Sequence, residues 1–441
     1  MNNLFKMKFH KNNLKQIKKI IILISLFCFV FGEQNIYAQT VTIVPQQKLS
    51  LSQFLMLVSK NNLEYAAEKF NVPISEAAVE LAHVFPNPSF SFDWLENREG
   101  QMRTGTGYAS ELGATIELGG KRKARIDLAK SEQKLTQALL DDYFRNLRAD
   151  AAIVYLEAVK QNQLYLVRQN SYQTMKKLSE ADSVRLSLGS IMKTDAIQSK
   201  LEAGILLNEL LQSEADRSNS LCQLNLMVGI SKLDTVLIPE IKMSGASKLF
   251  DLNNLIAIAG QNRADIEAAR YSKEVSVKTT TLVKKERRLD VDVKIGLEND
   301  LYVPNVVPGA KIISAGIGIP LKFSNMNKGD LKMAQLYEHQ VEKRYSFVLL
   351  KIEVEITEAY QSYLSTESQV ENFRDKLLKQ SEDVLNGKIY SYQRGENSLL
   401  EVLNAQRTYN EIKLSYIELI NKNYAALVEL ERAAGIWDIN L

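Results

Sequence analysis

The chain contains one long unit written twice, and any fold must accommodate that duplication. Residues 49–70, "LSLSQFLMLVSKNNLEYAAEKF", lie without gaps over 250–271, "FDLNNLIAIAGQNRADIEAARY", at an offset of 201. "IELGGKRKARIDLA" (116–129) answers "IPLKFSNMNKGDLKMA" (319–334), with the offset drifting from 203 to 205. Further on, Gly189 and Gly395 stand 206 apart, each followed six residues later by a carboxylate (Asp195, Glu401) and nine later by an amide (Gln198, Asn404). One duplication with a few inserted residues accounts for all three offsets. The unit boundaries fall at 39–245 and 246–441.

Each unit opens with a short amphipathic helix and then changes period. "SFSFDW" (89–94) sets Phe90, Phe92 and Trp94 against Ser89, Ser91 and Asp93, and "YASELGATIEL" (108–118) alternates likewise. In the second unit "LDVDVKIGLE" (289–298) and "ISAGIGIPL" (313–321) repeat the pattern. These are strands of about ten residues, joined in pairs by polar loops. The period then becomes helical. Ile356, Ala359, Tyr363, Val370, Phe373, Leu377 and Val384 keep a heptad rhythm, and Ala151, Val154, Ala158, Tyr165 and Tyr172 keep it in the first unit. No proline occurs between Pro88 and Pro239 or after Pro320. Nothing therefore stops a helix over 122–187 or 328–392, and some 65 residues make a rod of roughly 100 Å. A return helix of thirty to forty residues follows each glycine. The expected fold is mainly α with a small β part: long antiparallel helices in each unit and four strands per chain.

Residues 1–38 read as a cleaved secretory leader. Six lysines precede the apolar run "IIILISLFCFVF" (20–31), which is too short to span a bilayer, and Ala38 closes a small-residue cleavage site. A retained anchor is the alternative; lipidation at Cys28 is not expected in that setting. Taking six lysines and Glu33 away from 55 basic and 52 acidic residues leaves 49 and 51, a formal charge of −2, so no nucleic-acid partner is indicated. Past the leader only Cys222 remains, which excludes a disulfide framework. His83 and His339 have no ligand partners at metal spacing, the ten methionines form no spaced cluster, and no hydrolase, metalloprotease or P-loop motif occurs. "LGGKRKAR" (118–125) lacks the P-loop spacing, and "KKERR" (284–288) reads as a solvated segment end. No catalytic residue, cofactor or metal site is expected; the chain does not read as an enzyme.

Four amphipathic strands in an exported chain pose a closure problem. In lipid every backbone donor and acceptor must be paired, so only a closed barrel spans, and single-chain barrels begin at eight strands. Either the strands are ordinary soluble hairpins packed on helices, or several copies pool them. The recurrence of the apolar faces in both units, and helices too long to bury their seams in one compact domain, favour pooling.

The tip stretch "YQRGENSLLEVLNAQRTYNE" (392–411), with Tyr392, Gly395 and Glu401 in an aromatic-x-x-Gly pattern, resembles the TolC family of outer-membrane efflux factors. In the first copy Leu186 replaces the aromatic, while Gly189 and Asp195 match. "FPNPSFSFDWLENR" (85–98), "ELGGKRKARIDLA" (117–129) and "AALVELERAAGIW" (425–437) are similar to the heavy-metal, CzcC-like branch. The resemblance covers the whole mature chain. It implies a homotrimer whose twelve strands form one outer-membrane barrel and whose helices form a hollow periplasmic α-barrel. It also implies a periplasmic adaptor and an inner-membrane RND transporter as partners. Gly189, Ser190, Arg394 and Gly395 would be tip turns docking the adaptor. Glu401, Asn404, Asp195 and Tyr392 would form the periplasmic gate, with Asp195 and Tyr392 able to supply a phenol-to-carboxylate link. Asn404 departs from the family's second acid, and solvation of helix faces stays open as the plainer role for Glu401 and Asp195. The implied function is an exit duct for divalent heavy metals. A multidrug or type I secretion duct and a soluble periplasmic coiled-coil scaffold are the alternatives.

Overall fold

The computed structural model describes residues 46–99, 102–230, 236–240, 248–302, 311–321, 326–373 and 377–438. The leader expected over 1–38, and the unit boundary at 245/246, lie outside the described residues.

The first copy runs β1 (Gln46–Leu49), α1 (Leu51–Asn61), α2 (Leu63–Lys69), α3 (Asn71–Ala82), β2 (Ser89–Glu99), β3 (Met102–Ile116), α4 (Lys121–Ser187) and α5 (Lys193–Val228). After β4 (Val236–Pro239), the second runs α6 (Leu252–Asn262), α7 (Ala264–Glu286), β5 (Val291–Tyr302), β6 (Lys311–Gly318), α8 (Lys328–Asn372), α9 (Leu378–Gln393) and α10 (Leu399–Ala434). The expected order of short helix, hairpin and long helix pair thus appears twice, in a chain that is mainly helical.

The two hairpins join edge to edge in one antiparallel sheet, β2-β3-β5-β6. Register pairs Phe90 with Leu112, Leu112 with Ile295, Leu297 with Ile313 and Val293 with Ile317, so one face of all four strands is apolar. All of those side chains but the half-buried Val293 are exposed, Ile313 and Ile317 by 77% and 75%. The opposite face carries Asp93, Glu111, Lys294 and Glu298, with Lys294 paired to Glu111 at 2.7 Å. The outer edges of β2 and β6 have no strand partner among the described residues.

Where β3 passes into α4, "LGGKRKAR" makes a joint rather than a phosphate loop. Gly119 and Gly120 take positive φ (80° and 74°), and the stem of Arg288 fills the space where a Cβ on Gly119 would lie. Lys121 is buried and paired with Asp290 at 2.6 Å. Arg125 holds Glu117 and the carbonyls of Ala82 and Val84. The "KKERR" end is therefore part of this joint: Arg287 also donates to the Met326 carbonyl.

The long helices pack in register with the duplication. The return helices α5 and α10 end at Gly229 and Gly435, both in the left-handed conformation. Asn62, the cap between α1 and α2, donates its amide to Met227 O. Arg263, its counterpart 201 residues later, donates to Ala433 O. Each copy thus caps its return helix from its own short-helix junction. Burial would by itself lower the Arg263 pKa, but Asp265 and Glu355 outweigh it and raise it. A core of Phe54, Tyr155, Leu156, Val228 and Val428 sits at this level.

Two features differ from expectation. A parallel pair, β1 with β4, joins the segments flanking the first copy; the buried Tyr155 hydroxyl ties it down, 2.6 Å from Leu49 O and accepting from Glu240 N. Four residues are too few for a strand period to show in sequence. Over the expected single helix 328–392, the described residues are α-helical at Lys328–Asn372 and Leu378–Gln393. Phe373 and Leu377 have π-type geometry, and beyond them Ser381, Leu385 and Tyr392 are buried while Leu377 and Val384 are exposed. A π-turn adds one residue per turn, so the buried face advances by one position.

Candidate functional site

The two glycine turns lie together at the end of the helices away from the sheet. At the first, Gly189 (φ 69°) ends α4 while Ser190 N donates to Arg185 O at 2.9 Å. At the second, Gly395 (φ 78°) does the same with Glu396 N donating to Ser391 O at 2.9 Å. This six-to-one bond with a left-handed glycine is a Schellman stop, and it explains why the glycine stands at matching places. Gly189, Ser190, Arg394 and Gly395 are all exposed, as are Leu188 and Met192 beside them. A Cβ on either glycine would meet nothing within 4 Å.

Below the turns, α4 and α5 pack on α9 and α10 through Met175, Leu178, Leu206, Tyr392, Leu399, Val402 and Leu403. One polar contact pierces this seam. The Tyr392 hydroxyl donates to Asp182 Oδ1 at 3.0 Å, and Asp182 is fully buried. Arg185 lies 3.5 Å from the same oxygen and stacks 4.8 Å from the tyrosine ring. Among the described residues Asp182 Oδ2 has no hydrogen-bond partner, and Asp182 borders a cavity of 270 Å³. Burial, then the hydrogen bond to Asp182, push the Tyr392 hydroxyl up to about 12. Within the chain the Tyr392 phenol is bonded to Asp182 and not to Asp195. Asp195 lies near enough to act on the phenol electrostatically, but stands half-buried in the first turn of α5.

Glu401 occupies the matching first turn of α10, with Asn404 exposed one helical turn further on. Its Oε2 lies 2.5 Å from Lys388 Nζ, across the turn on α9. The lysine holds the Glu401 carboxyl below the usual range. The pattern Ser398-Leu399-Leu400-Glu401 is a capping-box sequence, yet the Ser398 side chain makes no cap bond. Glu401, Asn404, Lys388, Val384 and Thr408 share a groove of 460 Å³ on this face.

Asp182 and Lys388 are the residues that sequence reasoning passed over. They are equivalent under the 206-residue offset, an acid in one copy and a base in the other. That charge reversal between matching positions is the signal that could have found them.

A second ionisable cluster sits at the opposite end of α10. Glu431 is fully buried, with Lys248 at 3.7 Å and the Asp438 amide donating to it at 3.1 Å. Burial, then the shared proton with Asp438, raises its carboxyl to about 8, while Asp438 is lowered chiefly by that same contact. Among the described residues no group of acids, histidines or cysteines is arranged to hold a metal.

No protein-family model matches the chain. It is similar to the cobalt-zinc-cadmium resistance protein CzcC of Cupriavidus metallidurans, at 21% identity over 422 residues, covering 92% of this chain and 96% of the relative. Its fold matches the crystal structure of CusC, a transmembrane channel, with a TM-score of 0.72 at 16% identity, over 88% of this chain and 92% of the other. It also matches the Campylobacter jejuni CmeC outer membrane channel, with a TM-score of 0.73 at 14% identity, over 87% and 85%.

Proposed function

The chain carries, nearly end to end, the fold of the TolC-family outer-membrane efflux channels, and from that premise we propose that it is the exit duct of a tripartite efflux pump. It works as a homotrimer in the outer membrane, with its helices in the periplasm. One observation carries this reading: the protomer is open along the same two sides at both levels.

At the sheet, the outer edges of β2 and β6 have no strand partner among the described residues. At the helices, α3 and α8 flank the layer nearer the sheet, and both keep apolar side chains exposed: Ile74 and Leu81 on one, with Phe70 at its cap, and Met333, Leu336 and Phe347 on the other. Nearer the turns α5 is an outer helix and exposes Ile197, Leu201 and Ile205 at helical spacing. Three copies that join β6 to β2 also cover α8 with α3. Closure satisfies the sheet edges, as lipid requires, and the apolar outer face of twelve strands meets lipid while the polar face lines water.

In this reading each of the two repeats, 39–245 and 246–441, supplies a hairpin and a coiled pair of helices. The turns at Gly189, Ser190, Arg394 and Gly395 dock a periplasmic adaptor, which couples the duct to an inner-membrane RND transporter. Tyr392, Asp195, Glu401 and Asn404 belong to the periplasmic constriction, with the Tyr392–Asp182 bond holding two coils together. The cargo is a divalent heavy-metal cation, a reading supported by the resistance protein CzcC.

Deleting the gene and challenging cells with Zn, Co, Cd, Cu and a panel of dyes tests the cargo. Sensitivity to metals alone is expected; sensitivity to dyes alone would make it a multidrug duct. A soluble scaffold would instead leave the membrane with salt and no detergent, as a monomer.

A further inference from the structure

Nothing in the geometry of the second turn calls for Lys388. The first turn closes on the same backbone bonds with Asp182 at the equivalent place, and there the side chain points into the packed seam. Lys388 instead reaches 13 residues along the chain to Glu401, and both side chains keep solvent contact, 38% and 45% exposed. The Ser398 amide is a lesser partner of the same carboxylate. An exposed pair of this kind contributes little to stability, so its presence on the face that carries Asn404 asks for another account.

We propose that Lys388 sets the ion selectivity of the periplasmic end of the duct, by pairing each Glu401 so that the ring of three carries little net charge. This rests on the duct reading above. Three unscreened carboxylates around a narrow pore would attract cations strongly and hold divalent ones. Conduction needs a site weak enough to leave, and an ammonium already seated on each carboxylate competes with an entering metal ion. Glu401 then guides cations past without trapping them.

The test uses the full chain reconstituted in planar lipid bilayers, with the reversal potential read in a KCl gradient. Lys388→Gln should raise the K⁺/Cl⁻ permeability ratio about fourfold at 0.1 M salt, and less at 1 M, where screening shortens the reach of the freed charge. The same variant should become sensitive to block by Zn²⁺ or hexamminecobalt(III), whereas Lys388→Arg should behave as the unaltered protein. Glu401→Gln should shift the ratio toward anions, and the double variant should return close to the starting value. Conducting pores whose ratio and block are the same with and without Lys388 overturn the inference and leave the duct intact. Failure of both the unaltered chain and Tyr392→Phe, which releases the Tyr392–Asp182 bond, to conduct at all overturns the duct reading, and this inference falls with it.

Discussion

Replacing Tyr392 with phenylalanine removes one oxygen and leaves the ring that fills the seam between Met175, Leu178 and Val402. What is lost is the 3.0 Å hydrogen bond to a carboxylate with no solvent contact, whose other oxygen already lacks a partner. A hydrogen bond to a charged group contributes about 1.5–3 kcal/mol, and the deprived partner bears the cost of staying buried. At about 1.4 kcal/mol per decade, that is roughly 10- to 150-fold in the balance between paired and separated coils for each protomer. Arg185 restores part of the loss if it swings from 3.5 Å into full contact, so the lower end is the expectation. Tyr392→Phe should therefore raise open probability in planar bilayers about tenfold or more, with trimer content little changed. Asp182→Asn, which keeps an acceptor facing the phenol, should act in the same direction but less. The raised hydroxyl value also fixes a pH window: the pair's contribution is complete below pH 10 and is lost as pH rises through about 12. A Tyr392→Phe trimer as tightly closed as the unaltered one would refute the role of this bond.

Gly395→Trp should abolish export while trimers still reach the outer membrane; its Cβ would meet nothing within 4 Å, so apart from the strain of a left-handed backbone at φ 78° the bulk obstructs a docked partner, and normal efflux would remove the adaptor from this turn. Ile317→Lys places a charge on the exposed apolar strand face; it should destabilise the barrel by about 2–4 kcal/mol if that position lies near the bilayer midplane, read by urea unfolding in lipid, whereas Glu298→Lys on the polar face should cost much less. Glu431 is held neutral by burial, with its carboxyl raised to about 8. The stability so gained is complete below about pH 4.5, falls as pH rises, and is gone above about 8. Melting temperature should thus drop between pH 5 and 9 in the unaltered protein and stay flat in Glu431→Gln; equal slopes would show that Glu431 is charged throughout.

Much of the architecture was legible along the chain because it depends on period, which is a local property. Alternation of Phe90, Phe92 and Trp94 with Ser89, Ser91 and Asp93 requires a half-apolar strand, and the register places those rings on the one apolar face. The matching glycines require two left-handed stops, and the offsets of 201 to 206 require that whatever one copy builds, the other builds too. Relations between distant segments were not legible. The bond from Tyr392 to Asp182 crosses 210 residues, and Asp195 carries an equally suitable carboxylate. The choice between them depends on how far each helix has rotated when the coils meet. The advance of the buried face beyond Leu377 shows how π-type geometry, here at Phe373 and Leu377, resets that phase where the heptad pattern runs on. Sequence alone settled that the hairpins and long helices form and that they form twice; packing alone settled which charges face one another, because a side chain's partner depends on the rotation and height of two helices together, and neither is written in the period of either one.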